Sequence, residues 1–349
     1  MKNGERTKVA VVGASGYTGE ELVRLLLRHP NAELTAATSR QFAGKTLAET
    51  FPRLAHHSTA RALRFTDLQP RQLSELAEVV FLALPHGVAV DFAGPLLDAG
   101  ARVIDLSADF RIKSAETYRE FYGHEHGAPD LLAAAVYGLP EIYRDKIRDA
   151  RLVACPGCYP TSILLPVIPL LREQLIKPGS IIANSLSGVS GAGRKAELDY
   201  LFVECNESVR PYGVPKHRHL AEIEQELSVA ADCAVTIQFT PHLVPVNRGI
   251  LTTLYLAPAA EGEDPKRIEA AFRASYADEP FVRLLDEKTL PDTKNVIGSN
   301  FIEIAWRLDS RTGRLVVMSA EDNLVKGAGG QAVQCFNLMC DYEETAGLL

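Results

Sequence analysis

Three glycines at three-residue spacing, Gly13, Gly16 and Gly19, follow the apolar run Val9-Ala-Val-Val12. They precede a segment with Leu22, Val23, Leu26 and Leu27 at helical spacing, stopped before Pro30. A short buried strand, a glycine turn and an amphipathic helix form the opening of a parallel α/β unit. Glycines there let the chain turn tightly and let its backbone approach a pyrophosphate, whose charge suits the open N–H groups of the following helix. Gly13, Ser15, Gly16, Tyr17, Thr18 and Gly19 are therefore expected to line a dinucleotide. No Gly-Lys-Ser/Thr closes this loop, so a Walker phosphate loop is set aside.

The rhythm continues with apolar runs at Leu34–Thr38, Val79–Leu84, Val103–Leu106 and Leu152–Ala154, separated by helical sequence. Strands alternating with helices predict a doubly wound parallel sheet. The second run ends in Thr38-Ser39-Arg40, where an NAD-binding fold places an acidic residue for the ribose 2′-hydroxyl. A hydroxyl and a guanidinium suit a 2′-phosphate instead, which points to NADP(H) held by Ser39 and Arg40. Beyond about residue 156 the connections lengthen. Ile181–Asn184, Cys233–Phe239, Ile250–Leu256, Phe301–Trp306 and Leu315–Met318 read as strands of a second, α+β domain. Asp264-Pro265 opens a helix to about Tyr276, with Asp as the cap and Pro at the first helical position. The expected organisation is a Rossmann domain over 1–155, completed by a C-terminal helix over 327–349, and a catalytic and oligomerisation domain over 156–326.

Composition narrows the function. The 349 residues are 46% hydrophobic and 23% charged, which excludes disordered and fibrous classes. With 37 basic against 44 acidic residues the net charge is −7, arguing against nucleic acid or an anionic membrane as partner. The most apolar stretch, Ile163–Leu171, is too short for a span and contains Pro166 and Pro169. Lys2, Glu5, Arg6 and Lys8 flank an apolar run too short for a signal sequence, so a cytoplasmic chain is expected. Six cysteines in such a chain read as thiols rather than a disulfide framework.

Cys155-Pro-Gly-Cys158 follows the last strand of the first series and leads into the Ile163–Leu171 stretch. Such a pair can be a redox dithiol, half a metal site, or a nucleophile beside a bystander. A thiol at a helix start is favoured as thiolate by the positive helix end, and Cys158 lies closer to that start than Cys155. A metal site lacks a second paired motif among Cys205, Cys233, Cys335 and Cys340. His217 and His219 can each move a proton near neutral pH, and Glu222, three residues after His219, shares its helical face and can orient the ring. His219 is the preferred acid/base, with His217 the alternative. His124-Glu-His126 reads as a solvated loop.

Seven segments then occur in order: Gly13–Gly19, Leu84-Pro85-His86-Gly87, Asp105-Leu-Ser-Ala-Asp-Phe-Arg111, Pro156-Gly-Cys-Tyr-Pro-Thr161, Ser187–Gly193, Lys216–Glu222 and Asn323–Gly327. Together they resemble the N-acetyl-gamma-glutamyl-phosphate reductases of arginine biosynthesis, over essentially the whole chain. Aspartate-semialdehyde dehydrogenase and glyceraldehyde-3-phosphate dehydrogenase share that fold and its thioester chemistry. The resemblance implies an NADPH-dependent acyl-phosphate reductase with Cys158 as nucleophile. Cys155 stands where the family often has Asn, which leaves it without an assigned role. By the same resemblance Arg111 is the phosphate-binding arginine. Leu84, Pro85, His86, Ser187, Gly188 and Asn323 approach the cofactor, and Ser190 with His217 contacts the substrate. It also implies a small-molecule acyl phosphate as partner and a homo-oligomer, dimer or tetramer. Rival readings are an N-acetyl-aminoadipyl phosphate reductase, an aspartate-semialdehyde dehydrogenase and, outside enzymes, a dinucleotide-sensing protein that needs no thiol near a histidine.

Overall fold

The computed structural model describes residues 6–194, 196–260 and 262–349; Lys2 and Glu5 lie outside them. The chain divides into two compact units, one running through Pro156 and resumed by Ala328–Leu349, the other Gly157–Gly327.

The first unit is built on a parallel sheet. Its strands are β1 (Thr7–Val12), β2 (Ala32–Thr38), β3 (Phe65–Thr66), β4 (Val79–Leu82), β5 (Arg102–Asp105), β6 (Val136–Tyr137) and β7 (Leu152–Ala154). They lie in the order β3-β2-β1-β4-β5-β7-β6, every pairing parallel. The order reverses direction between β1 and β4, the switch point at which open α/β sheets take their ligands. Buried Val9–Val12 and Val79–Leu82 explain the continuous apolar runs, since a sheet covered on both faces leaves no polar side. Helix α1 (Tyr17–Leu26) follows the glycine loop. The last helix, Gly330–Met339, packs on α1 and β5, and its Asn337 Oδ1 meets His29 Nε2 at 2.8 Å. The two-residue strands β3 and β6 at the sheet edges carry no periodic signal and are not predicted from the sequence.

The second unit holds a mixed sheet, β8 (Ile182–Gly188), β9 (Arg210–Pro211), β10 (Gln238–Val244), β11 (Ile250–Leu256), β12 (Val282–Leu284), β13 (Ile302–Asp309) and β14 (Arg314–Glu321). The order is β12-β13-β14-β11-β8-β10-β9. Helices α2 (Cys158–Arg172), α3 (His219–Ala231) and α4 (Pro265–Tyr276) belong to this unit, α2 packing against β11, β14, α3 and α4. The predicted helix from Asp264-Pro265 is α4, with Asp264 Oδ1 accepting the Lys266 N–H at 2.9 Å.

The strand predicted at Cys233–Phe239 starts later, at Gln238. Asp232 ends α3 in the left-handed region (φ 51°), and the N–H groups of the residues after it turn back to the helix. Val235 donates to Ser228 Oγ at 2.9 Å and Ile237 to Glu224 Oε1 at 3.0 Å, so no sheet partner is needed before Gln238.

Helix α2 is buried from Tyr159 to Leu171. Pro166 and Pro169 lie inside it and cannot donate to the carbonyls of Ser162 and Leu165. Each orphaned acceptor has a substitute. Ser319 Oγ donates to Ser162 O at 2.7 Å and Tyr276 Oη donates to Leu165 O at 2.6 Å. Two hydroxyls from β14 and α4 thus replace the helix's own lost bonds and fix α2, and with it Cys158.

Candidate active site

In the first unit the glycine loop meets two different demands. Gly13 sits at φ +78°, and a Cβ there would stand 2.3 Å from the Ala83 carbonyl oxygen. A Cβ on Gly19 would stand 2.4 Å from Gly13 O, so α1 packs directly on the loop. Around Gly16 the protein leaves room, its nearest atom being Gly13 O at 3.8 Å. Gly16 is also the N-cap of α1 and offers no side chain to its first-turn N–H groups. That open helix start suits a phosphate.

Thr38 Oγ1 accepts the Gly13 N–H at 3.2 Å, a partner the sequence did not single out. Ser39 donates its hydroxyl to Ser15 Oγ at 2.8 Å and is almost buried, so it braces the loop. Arg40 is 81% exposed and pairs with Asp67 at 3.5 Å, on the same unit and without an acidic residue at the end of β2. His86 Nδ1 accepts the Ala108 N–H at 3.1 Å. Asp109 fixes the turn after Leu84 and Pro85 by accepting the N–H groups of Gly87 at 2.7 Å and Ala89 at 3.1 Å.

Arg111, expected to bind phosphate, is buried and uses Nε on the Cys155 carbonyl at 2.7 Å and Nη2 on Leu106 O at 2.8 Å. It ties the loop after β5 to the end of β7. Asp105, at the end of β5, is fully buried and accepts the Ser107 N–H at 2.9 Å. Burial first, and then the Asp109 charge, push its carboxyl up to about 7. His126 is not the solvated loop residue expected from the sequence. It is buried, donates Nε2–H to Asp109 O at 2.6 Å, accepts the Ala128 N–H on Nδ1, and packs edge-on to Phe110 and Tyr118.

In the second unit Cys158 is the first residue of α2, with Gly157 as N-cap. Neither Cys155 nor Cys158 is in a disulfide; Cys155 is buried and Cys158 half-buried. Glu222 Oε1, on the carboxylate expected to orient His219, accepts the Gly157 N–H at 2.9 Å and so holds the start of the helix that carries the thiol. His219 begins α3 and lies edge-on to Tyr159 at 5.9 Å. The His219 N–H donates to His217 Nδ1 at 3.1 Å. Burial, with Arg218 adding to it, lowers the His217 imidazole to about 4, leaving that ring neutral near pH 7. The Tyr159 and Tyr212 hydroxyls meet at 2.7 Å, and burial pushes both phenols up.

Ser187, Gly188, Ser190 and Asn323 gather at the ends of β8 and β14. A Cβ on Gly188 would stand 2.7 Å from the Arg248 backbone nitrogen, so the chain's own backbone already requires glycine there. Asn323 Nδ2 donates to Ser190 Oγ at 2.9 Å and its Oδ1 accepts the Gly249 N–H at 2.8 Å. Sequence reasoning missed Arg248 and the buried Asp322, paired at 3.1 Å; neither has a pattern that spacing alone would reveal. Gly327, which closes the Asn323–Gly327 segment, is folded against Cys158, whose Cβ would stand 2.8 Å from a Cβ at that position.

Residues 8–150 match the model for the semialdehyde dehydrogenase NAD binding domain, and 158–323 the model for the semialdehyde dehydrogenase dimerisation domain. An N-acetyl-gamma-glutamyl-phosphate reductase from Akkermansia muciniphila is 56% identical over 99% of each chain. One from Moorella thermoacetica is 52% identical over 98% of this chain and 97% of its own. Among solved structures, aspartate semialdehyde dehydrogenase II from Vibrio cholerae superposes with a TM-score of 0.72 at 17% identity, covering 97% of this chain and 99% of that one. At that identity the likeness concerns the fold. Among the described residues no helix is long and apolar enough to cross a membrane.

Proposed function

The chain belongs to the semialdehyde dehydrogenase family, among its N-acetyl-gamma-glutamyl-phosphate reductases, and we propose that it performs their reaction through Cys158. The reaction is the NADPH-dependent reduction of N-acetyl-5-glutamyl phosphate to N-acetyl-L-glutamate 5-semialdehyde and phosphate. The observation that carries the assignment is Cys158 at the first position of α2, with its N-cap held by Glu222 and with His219 heading the neighbouring helix.

The first unit fits a phosphorylated dinucleotide. The open helix start at Gly16 takes the pyrophosphate, and Arg40, with no carboxylate at the end of β2, takes the 2′-phosphate in place of Asp67. The chemistry a bound NADPH supplies is a hydride.

Cys158 attacks the acyl carbon as thiolate, the C–O bond to phosphate breaks, and a thioester remains on Sγ. After the thioester carbonyl has been reduced, the oxyanion reforms C=O and expels Cys158 as thiolate. His219 takes the thiol proton at the start and returns a proton to sulfur at the end. His217, neutral near pH 7, cannot donate a second acidic proton; it serves the substrate as a hydrogen-bonding ring. Arg111 is the cation assigned to the substrate phosphate, its guanidinium held in place by the carbonyls of Cys155 and Leu106.

The working form is a cytoplasmic homo-oligomer. Ile182, Leu186 and Tyr255 stand 39%, 37% and 40% exposed on one face of the second sheet, with Tyr255 opposite Ile182, an apolar surface that a second copy would cover. The test of function is phosphate-dependent NADP+ reduction with N-acetylglutamate, N-acetylaminoadipate and aspartate semialdehydes compared. Preference for the first is expected; preference for either other overturns the substrate assignment.

A further inference from the structure

β14 ends at Glu321, which is fully buried. The next residue turns the chain: Asp322 Oδ1 accepts the Leu324 N–H at 2.8 Å, Oδ2 accepts the Gly298 N–H at 2.7 Å, and Asp322 O accepts the Gly327 N–H at 2.9 Å. The turn lays Gly327 on the start of α2. A Cβ on Gly327 would stand 2.8 Å from Cys158 Cβ, 3.1 Å from Cys158 Cα and 2.9 Å from Glu321 Oε1. The buried Glu321 carboxyl and the half-buried Cys158 side chain thus flank one glycine.

We propose that Glu321 is a positioning residue that acts through Cys158 by setting the ionisation of its thiol. The proposal rests on Cys158 being the nucleophile. A buried charge is little screened, so a carboxylate beside the thiol disfavours the thiolate. The opposing influences are the start of α2 and the buried Lys326 on the same turn. The other groups toward Cys158 are Tyr159 on its own helix, His219 and Glu222 on α3, and Tyr212, His217 and Arg218 on the segment before α3. Glu222 directs one oxygen at the Gly157 N–H. β11 offers the Thr252 hydroxyl and α4 the Tyr276 hydroxyl, both uncharged and directed further along α2.

The device has a chemical use. A thiol whose acidity is raised far by a helix start is mostly ionised but intrinsically weak as a nucleophile, and the best attacking thiol titrates near the ambient pH. Glu321 offsets the helix start and returns Cys158 toward that optimum, the proton passing to His219 only when the substrate is in place.

The test is the pH dependence of iodoacetamide alkylation of the full chain, read on the peptide carrying Cys158 by mass spectrometry. Glu321→Gln is expected to lower the alkylation midpoint by about one pH unit, and to speed alkylation about tenfold well below the wild-type midpoint. An unchanged or raised midpoint overturns the proposal. Should Glu321→Gln not fold, Glu321→Asp, which withdraws the charge by one methylene, is expected to lower the midpoint by a smaller step, and no shift there overturns it equally. Alkylation does not require turnover. Failure of this test is therefore distinct from failure of the nucleophile assignment, in which Cys158→Ser would remain active.

Discussion

Glu222 Oε1 receives the N–H of Gly157 at 2.9 Å, so the first turn of α3 holds the first turn of α2. Both groups are buried, and removing the acceptor strands a backbone donor. Glu222→Ala is expected to cost about 1–3 kcal/mol in urea unfolding, and Glu222→Gln, which keeps an acceptor oxygen, much less. Equal stability of the Ala variant and the wild type would show that the bond does not hold the helix start.

The two prolines of α2 make a second prediction. Tyr276→Phe leaves the Leu165 carbonyl without the hydroxyl that replaces its lost helical donor, and Ser319→Ala does the same at Ser162. Each is expected to lose about 1–3 kcal/mol of stability. Thermal and denaturant unfolding check this; variants as stable as the wild type would mean the carbonyls need no donor.

Asp105 gives a pH dependence with a definite sign. Its folded value of about 7 lies above the ordinary 3.8, so the folded state binds this proton more tightly than the unfolded state. The associated stability is present below 3.8 and lost as pH rises to about 7, at about 1.4 kcal/mol per unit within that window. Asp105→Asn is therefore expected to gain stability relative to the wild type as pH is raised from 5 to about 8. A constant difference between the two proteins across that range would contradict it.

Asp67 and a 2′-phosphate would compete for Arg40. The exposed pair at 3.5 Å is worth little by itself, so exchanging Asp67 for a 2′-phosphate costs little. Arg40→Asp is expected to weaken NADP+ far more than NAD+, by about 1.5–3 kcal/mol, and Asp67→Asn to tighten NADP+ slightly. Dissociation constants that move equally for both cofactors would remove Arg40 from 2′-phosphate recognition.

Much of the fold was legible because its signals are local. The glycine loop between Val12 and Leu22 carries strand, turn and helix in a few residues, and Asp264-Pro265 announces α4 by capping alone. Cys158 was legible as a helix-start thiol for the same reason. What the sequence hid is set by distant partners. β3, β6, β9 and β12 are too short for a periodicity. Val235 and Ile237 look like strand residues, yet their N–H groups are taken by side chains of α3. His126 resembles a loop histidine until Asp109 O is placed 2.6 Å from it. Glu321 has no motif around it, and its nearness to Cys158 appears only when Gly327 is folded onto α2.

The central claim is that Cys158, and not Cys155, carries the acyl group. Cys155 is buried with its carbonyl bound by Arg111, whereas Cys158 heads a helix and is partly exposed. The direct measurement is the intact and peptide mass of the enzyme mixed with N-acetyl-5-glutamyl phosphate in the absence of NADPH. The account predicts one N-acetylglutamyl addition on the peptide containing both cysteines, retained in Cys155→Ser and lost in Cys158→Ser. An addition that persists in Cys158→Ser, or that disappears in Cys155→Ser, would contradict it.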